Sequence, residues 1–264
     1  MNTLNAMTGW TWVKQGFTLF KKQPAEMLTL FFAYMFINMA MGLIPVAGQI
    51  LPLLLVPVFS MSFMQACRQI EQGQRIYPNL LLVGFRSPAI GNLLKLGVLY
   101  ILAAILAIGA SSLIDEGVFW EFVMSQKPME PDSLPQTGMF WSMLFSGLVY
   151  LPALMAFWFA APLIAWQKMG VGKAVFYSFF AVRRAAAAFS VYGLAWIGLG
   201  VLLPLVASLI IAVIVGNAMT LMIILMPLSV ILTVVMYCSF YPTYTEIFGK
   251  TESVGSNSED QPVV

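Results

Sequence analysis

Long apolar blocks alternate with short polar ones along the whole chain. Six of the blocks, at about 27–44, 50–66, 89–114, 140–166, 185–215 and 218–247, carry no charged residue near their centres. A helix rising ~1.5 Å per residue needs roughly 17 to 25 such residues to cross ~30 Å of hydrocarbon. The pattern predicts an all-α polytopic membrane protein with six transmembrane helices. Spans 1 and 2 sit near the lower limit of length and are joined by a tight turn at 45–49. Spans 5 and 6 are longer than a perpendicular crossing needs and meet at Gly216-Asn217, so tilt or breaks are expected. Pro204, Pro227 and Pro242 are the expected break points, because each removes a backbone donor and crowds the preceding turn.

A short amphipathic stretch precedes each odd-numbered span. In 10–22, Trp10, Val13, Phe17 and Phe20 follow three- and four-residue spacing with Lys14 and Lys21 at the border, while Trp12 and Leu19 fall on the other side. The stretch reads either as a helix lying in the membrane interface or as the solvated start of span 1. Pro78 opens a similar segment over 79–85, and a third, 174–182, ends at Arg183-Arg184. The junctions into the odd spans also repeat: Lys22-Gln23-Pro24-Ala25, Arg86-Ser87-Pro88-Ala89 and Arg184-Ala185-Ala186-Ala187. Their spacings are 64 and 98 residues, and most of the difference of 34 is the loop 115–139. Three units are therefore expected, at about 10–67, 78–168 and 173–248, each an interfacial helix followed by a helical hairpin. The even spans carry two prolines apiece, Pro52 and Pro57, Pro152 and Pro162, Pro227 and Pro242. Chance likeness between apolar segments is the competing explanation.

Composition places the whole of 1–248 in one membrane domain. Hydrophobic residues make up 60% and charged residues 9% of the 264, against ~45–50% and ~25% in soluble domains. Residues 249–264 are rich in Ser, Gly and acids and read as a disordered cytoplasmic tail. The first nine residues carry no charged side chain, and no Ala-x-Ala-like site follows the first apolar run, so a signal anchor is the most this end can supply. Twelve of the 13 Lys and Arg fall on one side of the six-span reading, leaving Lys127 alone on the other. The positive-inside rule then puts both termini in the cytoplasm. The loop 115–139, with Asp115, Glu116, Glu121, Glu130 and Asp132 against Lys127, is expected outside, its Phe119, Trp120 and Phe122 resting on the membrane surface.

Trp10, Gly16-Phe17, Phe20-Lys21-Lys22-Gln23-Pro24, the Pro45-Val46-Ala47-Gly48 turn, Met64-Gln65-Ala66-Cys67-Arg68 and Gly84-Phe85-Arg86 form a pattern. It resembles that of a family of uncharacterised bacterial inner-membrane proteins. More distantly, it is similar to the membrane domain that precedes some glycerophosphodiester phosphodiesterases. The resemblance covers nearly the whole chain and is most specific over 10–100. It implies a multi-pass protein of the bacterial inner (plasma) membrane and carries over no catalytic residue; the phosphodiesterase catalytic domain has no counterpart here.

Candidate chemistry is sparse. Histidine is absent, and Cys67 and Cys238 lack metal-ligand spacing and are expected to be reduced, so no metal or cofactor is expected. Gly172-Lys173 fails as a phosphate loop because Gln167 and Ala174 stand where Gly and Ser or Thr are needed. An intramembrane Ser-His pair has no histidine, and Asp115 and Asp132 fall in the outer loop, so no enzyme activity is expected. The 18 methionines are scattered without Cys or His partners, which suits flexible packing rather than metal transport. Asn38, alone in span 1, reads as interhelical glue.

Polar candidates at intermediate depth are few. Lys95 and Glu246 either snorkel to the headgroups or pair across the bundle. Ser229, Thr233, Tyr237, Tyr241 and Thr245, at four-residue spacing in span 6, either bond helix carbonyls or line a cavity. Lys95, Ser229, Thr233, Tyr237 and Glu246 are thus the candidate polar lining. Lys22, Arg86 and Arg184 are candidate contacts for anionic headgroups on the cytoplasmic side, or serve only to enforce topology. The expected partners are membrane lipids, then other membrane proteins, and not nucleic acid. The expected function is binding or translocating a lipid or other amphiphile without ion coupling. The alternative is a membrane scaffold or assembly accessory protein.

Overall fold

Every apolar run forms helix in the computed structural model, which describes residues 4–45, 47–125, 136–215 and 218–250. Expectations that rest on Lys127, Glu130, Asp132, the Gly216-Asn217 junction and residues 251–264 lie outside the described residues. In chain order the helices are α1 (Thr8–Lys22), α2 (Pro24–Gly42), α3 (Ala47–Glu71), a 3₁₀ turn (Pro78–Leu82) running into α4 (Val83–Arg86), and α5 (Ile90–Asp115). They continue as α6 (Val118–Ser125), α7 (Gln136–Phe157), α8 (Ala160–Trp166), α9 (Val171–Arg184), α10 (Ala186–Ile197), a π turn (Gly198–Leu202), α11 (Leu203–Val215) and α12 (Ala218–Phe248). Six stretches are long and apolar enough to cross a membrane: Pro24–Gly42, Ile50–Glu71, Ile90–Asp115, Gly138–Trp166, Ala186–Val213 and Ile223–Phe248. This is an all-α polytopic membrane protein, and by connectivity α1, α4 and α9 stand at one end of the bundle. The twelve described Lys and Arg fall at that basic end too.

The three short helices are built into the bundle rather than resting beside it. α1 packs on α10 and α12, the 3₁₀ turn and α4 pack on α2 and α3, and α9 packs on α7 and α8. Each thus docks on the pair of spans preceding it, with α1 closing the circle against the last pair. The face α1 buries differs from the expected one. Gly9, Trp12, Val13, Gly16 and Leu19 are buried, whereas Trp10 is exposed. Gly9 lies against the Ala188 carbonyl, and Gly16 against Ser239. Glycine at those two positions lets the α1 backbone touch its neighbours, and Trp12 then reaches Phe189 and Tyr192 at ring-centroid distances of 5.1 and 6.0 Å.

The proline-break expectation is corrected in most places. Pro52 and Pro57 in α3, Pro152 in α7, and Pro227 and Pro242 in α12 all lie within continuous helix. Near Pro242, Thr243 Oγ1 donates to Phe240 O at 2.7 Å and Thr245 Oγ1 to Pro242 O at 3.3 Å, while the carbonyl left without a partner by the missing proline N–H is that of Cys238. Span 5 does change where it was expected to, through the π turn just ahead of Pro204. Span 4 breaks between α7 and α8, four residues ahead of Pro162. There the Ser178 hydroxyl of α9 accepts from Phe159 N and donates to Met155 O, both at 2.9 Å. Those two backbone groups would bond each other in an unbroken α-helix, so Ser178 is wedged into the helical ladder.

Packing is concentrated towards the basic end. Large buried side chains such as Met27, Leu30, Phe63, Ile70, Leu93, Leu163 and Tyr244 form the main core there. Towards the far end, burial among the described residues narrows to Gly48 at the start of α3 and to Ala107, Ser111, Ser142 and Ser146. The last four are small residues where α5 closely meets α7, as membrane helix pairs favour.

Candidate functional site

A cavity of about 240 Å³ lies where α2, α3, α5, α7, α8 and α12 converge. Its walls are aromatic. Phe63 stacks on Tyr237 at 4.6 Å, and Tyr100 on Phe157 at 4.5 Å, giving two flat ring pairs across the space. Tyr34, Tyr100, Tyr150 and Tyr237 line it from four different helices, and no charged side chain does. Each of these tyrosines stands eight or more residues from either end of its span, roughly 12 Å along the helix axis. Tyr100 Oη donates to Phe157 O at 3.3 Å, which ties α5 to the end of α7.

Below the cavity, the ends of the three even-numbered spans are joined. Tyr241 Oη donates to Glu71 Oε2 at 2.7 Å, and Lys250 Nζ pairs with Glu71 Oε1 at 2.9 Å. Gln167 Nε2 donates to Tyr244 Oη at 3.1 Å, Trp166 meets Tyr244 edge-on at 5.1 Å, and Arg68 lies over the Trp166 ring. α3, α8 and α12 are therefore crosslinked by polar side chains at the basic end. Beside them Gln23 bridges to the loop after α3, donating to Gln74 O at 2.7 Å and accepting from Ile76 N at 3.1 Å. Arg75 pairs there with Glu26 at 3.2 Å.

The candidates from the sequence are distributed as follows. Of the expected lining, Tyr237 lies in the cavity wall. Thr233 Oγ1 donates to Ser229 O at 2.8 Å, while Ser229, Lys95 and Glu246 are exposed. Lys95 and Glu246 do not pair with each other. Lys22, Arg86 and Arg184 are exposed, and each is the last residue of its docked helix, α1, α4 and α9 respectively. A cation at a helix C-terminus is favoured by the helix dipole. Cys67 and Cys238 are both buried, with free thiols in contact across α3 and α12.

Tyr34, Tyr100 and Tyr150 were missed. A signal was present: each is the lone tyrosine of its apolar run and sits mid-span, whereas membrane tyrosines gather at the interfaces. Glu71 was not among the candidates either.

One relative carries this architecture's length almost in full. A probable inner membrane protein of Burkholderia thailandensis is 37% identical over 254 residues, 94% of each chain. The chain belongs to that protein's family. Its six apolar helices fit such a membrane. No family model matches the chain, and no solved structure does.

Proposed function

We propose that the protein binds a lipid or other amphiphile in the central cavity and lets it cross or leave the bilayer without coupling to an ion. The observation that carries this reading is the cavity itself: set among five spans, large enough for part of an amphiphile, and lined by aromatic rings and hydroxyls without a charge. Proton or sodium coupling uses ionisable groups at such depth. In this reading the protein performs no covalent chemistry. Its basic end faces the cytoplasm, and Lys22, Arg86 and Arg184 hold anionic headgroups there, each contributing on the order of 1 kcal/mol. Arg86 and Arg184 are the stronger contacts because guanidinium pairs bidentately with phosphate. Native mass spectrometry of protein extracted in mild detergent tests the reading. Retained lipid is expected, with less anionic lipid retained by the R86Q/R184Q double variant at unchanged expression. Folded protein that carries no lipid, together with unaltered lipid composition in a deletion strain, would overturn it.

The second reading is a scaffold or assembly accessory for other membrane proteins. It is favoured by α10 and α11, few of whose side chains are buried within the bundle. Crosslinking in native membranes that recovers another membrane protein on this face supports it, and recovery of self-contacts alone removes it.

A further inference from the structure

The chemistry of the cavity narrows the ligand further, on the condition that the amphiphile reading holds. An acyl chain needs only apolar walls, and aliphatic side chains supply them. Here ten of the 16 lining residues are aromatic and four of those ten are tyrosines, which is an expensive way to hold a hydrocarbon tail. Burying a hydroxyl in an apolar setting costs about 1 to 3 kcal/mol or more unless it is bonded. Tyr100 is engaged with Phe157 O, and the Tyr34 and Tyr237 hydroxyls meet each other, which leaves one donor of that pair for a ligand with an acceptor of its own. The stacked pairs Phe63–Tyr237, with an interplanar angle of 23°, and Tyr100–Phe157, at 15°, present flat faces that suit a planar ring.

Size and access point the same way. An apolar cavity of ~150 Å³ holds benzene, and drug-sized pockets begin at roughly 300 Å³. The 240 Å³ here fits one substituted ring and the start of a tail. A phosphate headgroup would meet no cation in the walls. The Glu71, Tyr241, Tyr244, Gln167 and Lys250 contacts block the basic end. On one side, however, α7 and α12 make little direct contact among the described residues. Their nearest bridge is Trp158, just past α7, which meets Phe240 edge-on at 5.1 Å and donates to Thr243 at 3.4 Å, both towards the basic end. Tyr150 of α7 and Tyr237 of α12 both line the cavity.

We propose that the cavity is a site for a neutral, carbonyl-bearing ring on an apolar tail, the chemical class of lipid-soluble quinones, entering sideways from the bilayer between α7 and α12. The ring lies between the stacked aromatic pairs and accepts a hydrogen bond from the Tyr34–Tyr237 pair, while the tail leaves through the gap.

The test uses the full chain in phosphatidylcholine nanodiscs and titrates decylubiquinone while following tryptophan fluorescence, since Trp158 stands in the cavity wall. Saturable quenching is expected, largely lost in W158F. The Y34F/Y237F variant should bind at least tenfold more weakly, about 1.4 kcal/mol, with its thermal unfolding unchanged. Decylbenzene, which has the ring and tail but no carbonyls, should fail to compete. Quenching that rises linearly and equally in Y34F/Y237F, or competition by decylbenzene as strong as by decylubiquinone, overturns the proposal. Phosphatidylglycerol retained in native mass spectra without saturable quinone binding overturns this inference and leaves the amphiphile reading standing. Loss of both overturns the two together.

Discussion

Gly16 shows how much a single missing side chain decides. A Cβ there would stand 2.6 Å from Cβ of Ser239 and 2.9 Å from its Cα, so α1 would have to lift away from α12. Gly16→Ala is expected to lower stability by about 1–3 kcal/mol, the usual cost of overpacking. Gly172→Ala in α9 points into open space and should gain up to ~1 kcal/mol from helix propensity. Thermal unfolding in detergent compares the two, and equal shifts would mean that α1 is not tightly docked. The residues at the basic end should rank in a set order. Tyr241 is buried and donates to a charged acceptor, a bond of about 1.5–3 kcal/mol. Lys250 is 71% exposed in its pair with Glu71, and such pairs contribute ~0–1 kcal/mol after solvent screening. Tyr241→Phe should therefore destabilise more than Lys250→Gln in the same assay. The reverse order would mean that the ion pair, and not the buried hydroxyl, joins α3 to α12.

At the scale of the elements, the break in span 4 depends on a residue from another helix. Ser178→Ala removes the hydroxyl that satisfies Phe159 N–H and Met155 C=O, at a cost of about 1–3 kcal/mol if the two groups stay apart. Hydrogen exchange at the Phe159 amide should speed up, and Ser178→Thr, which keeps the hydroxyl, should lose less of the protection. Unchanged exchange in the Ala variant would show that the break stands without the wedge. Nothing local to 155–162 reveals this device in the sequence, because Ser178 acts from 19 residues further on. The spans themselves were readable, since an apolar run of the right length has few other uses. The docked face of α1 was not, because hydrophobic spacing favours Trp10 and Phe17, while glycines at 9 and 16 are silent on any hydropathy scale. Prolines were over-read as breaks for a related reason: within a bundle, packing against neighbouring helices holds a helix together through the one backbone bond a proline removes. The cavity was legible in one residue, Tyr237, picked out by its stripe. Its partners sat in separate runs with no stripe to mark them.

For the whole molecule, the circular docking brings the start and end of the described chain to the same end of the bundle, since α1 packs along α12 near its C-terminal half. That end also carries all twelve described basic residues. Lys and Arg in short loops resist transfer across the bacterial inner membrane, so this end is expected in the cytoplasm. The prediction is testable because Cys67 and Cys238 are the only cysteines and both are buried. Replacing both by Ala gives a background for single reporters at Gly172, exposed in α9 at the basic end, and at Lys127 in the acidic loop. A membrane-impermeant maleimide applied to intact spheroplasts should label the cysteine at 127 and spare the one at 172, with the pattern exchanged in inverted vesicles. The opposite result would put the basic end outside. It would also remove the cytoplasmic headgroup role proposed for Lys22, Arg86 and Arg184, while leaving the sideways route proposed for the cavity untouched.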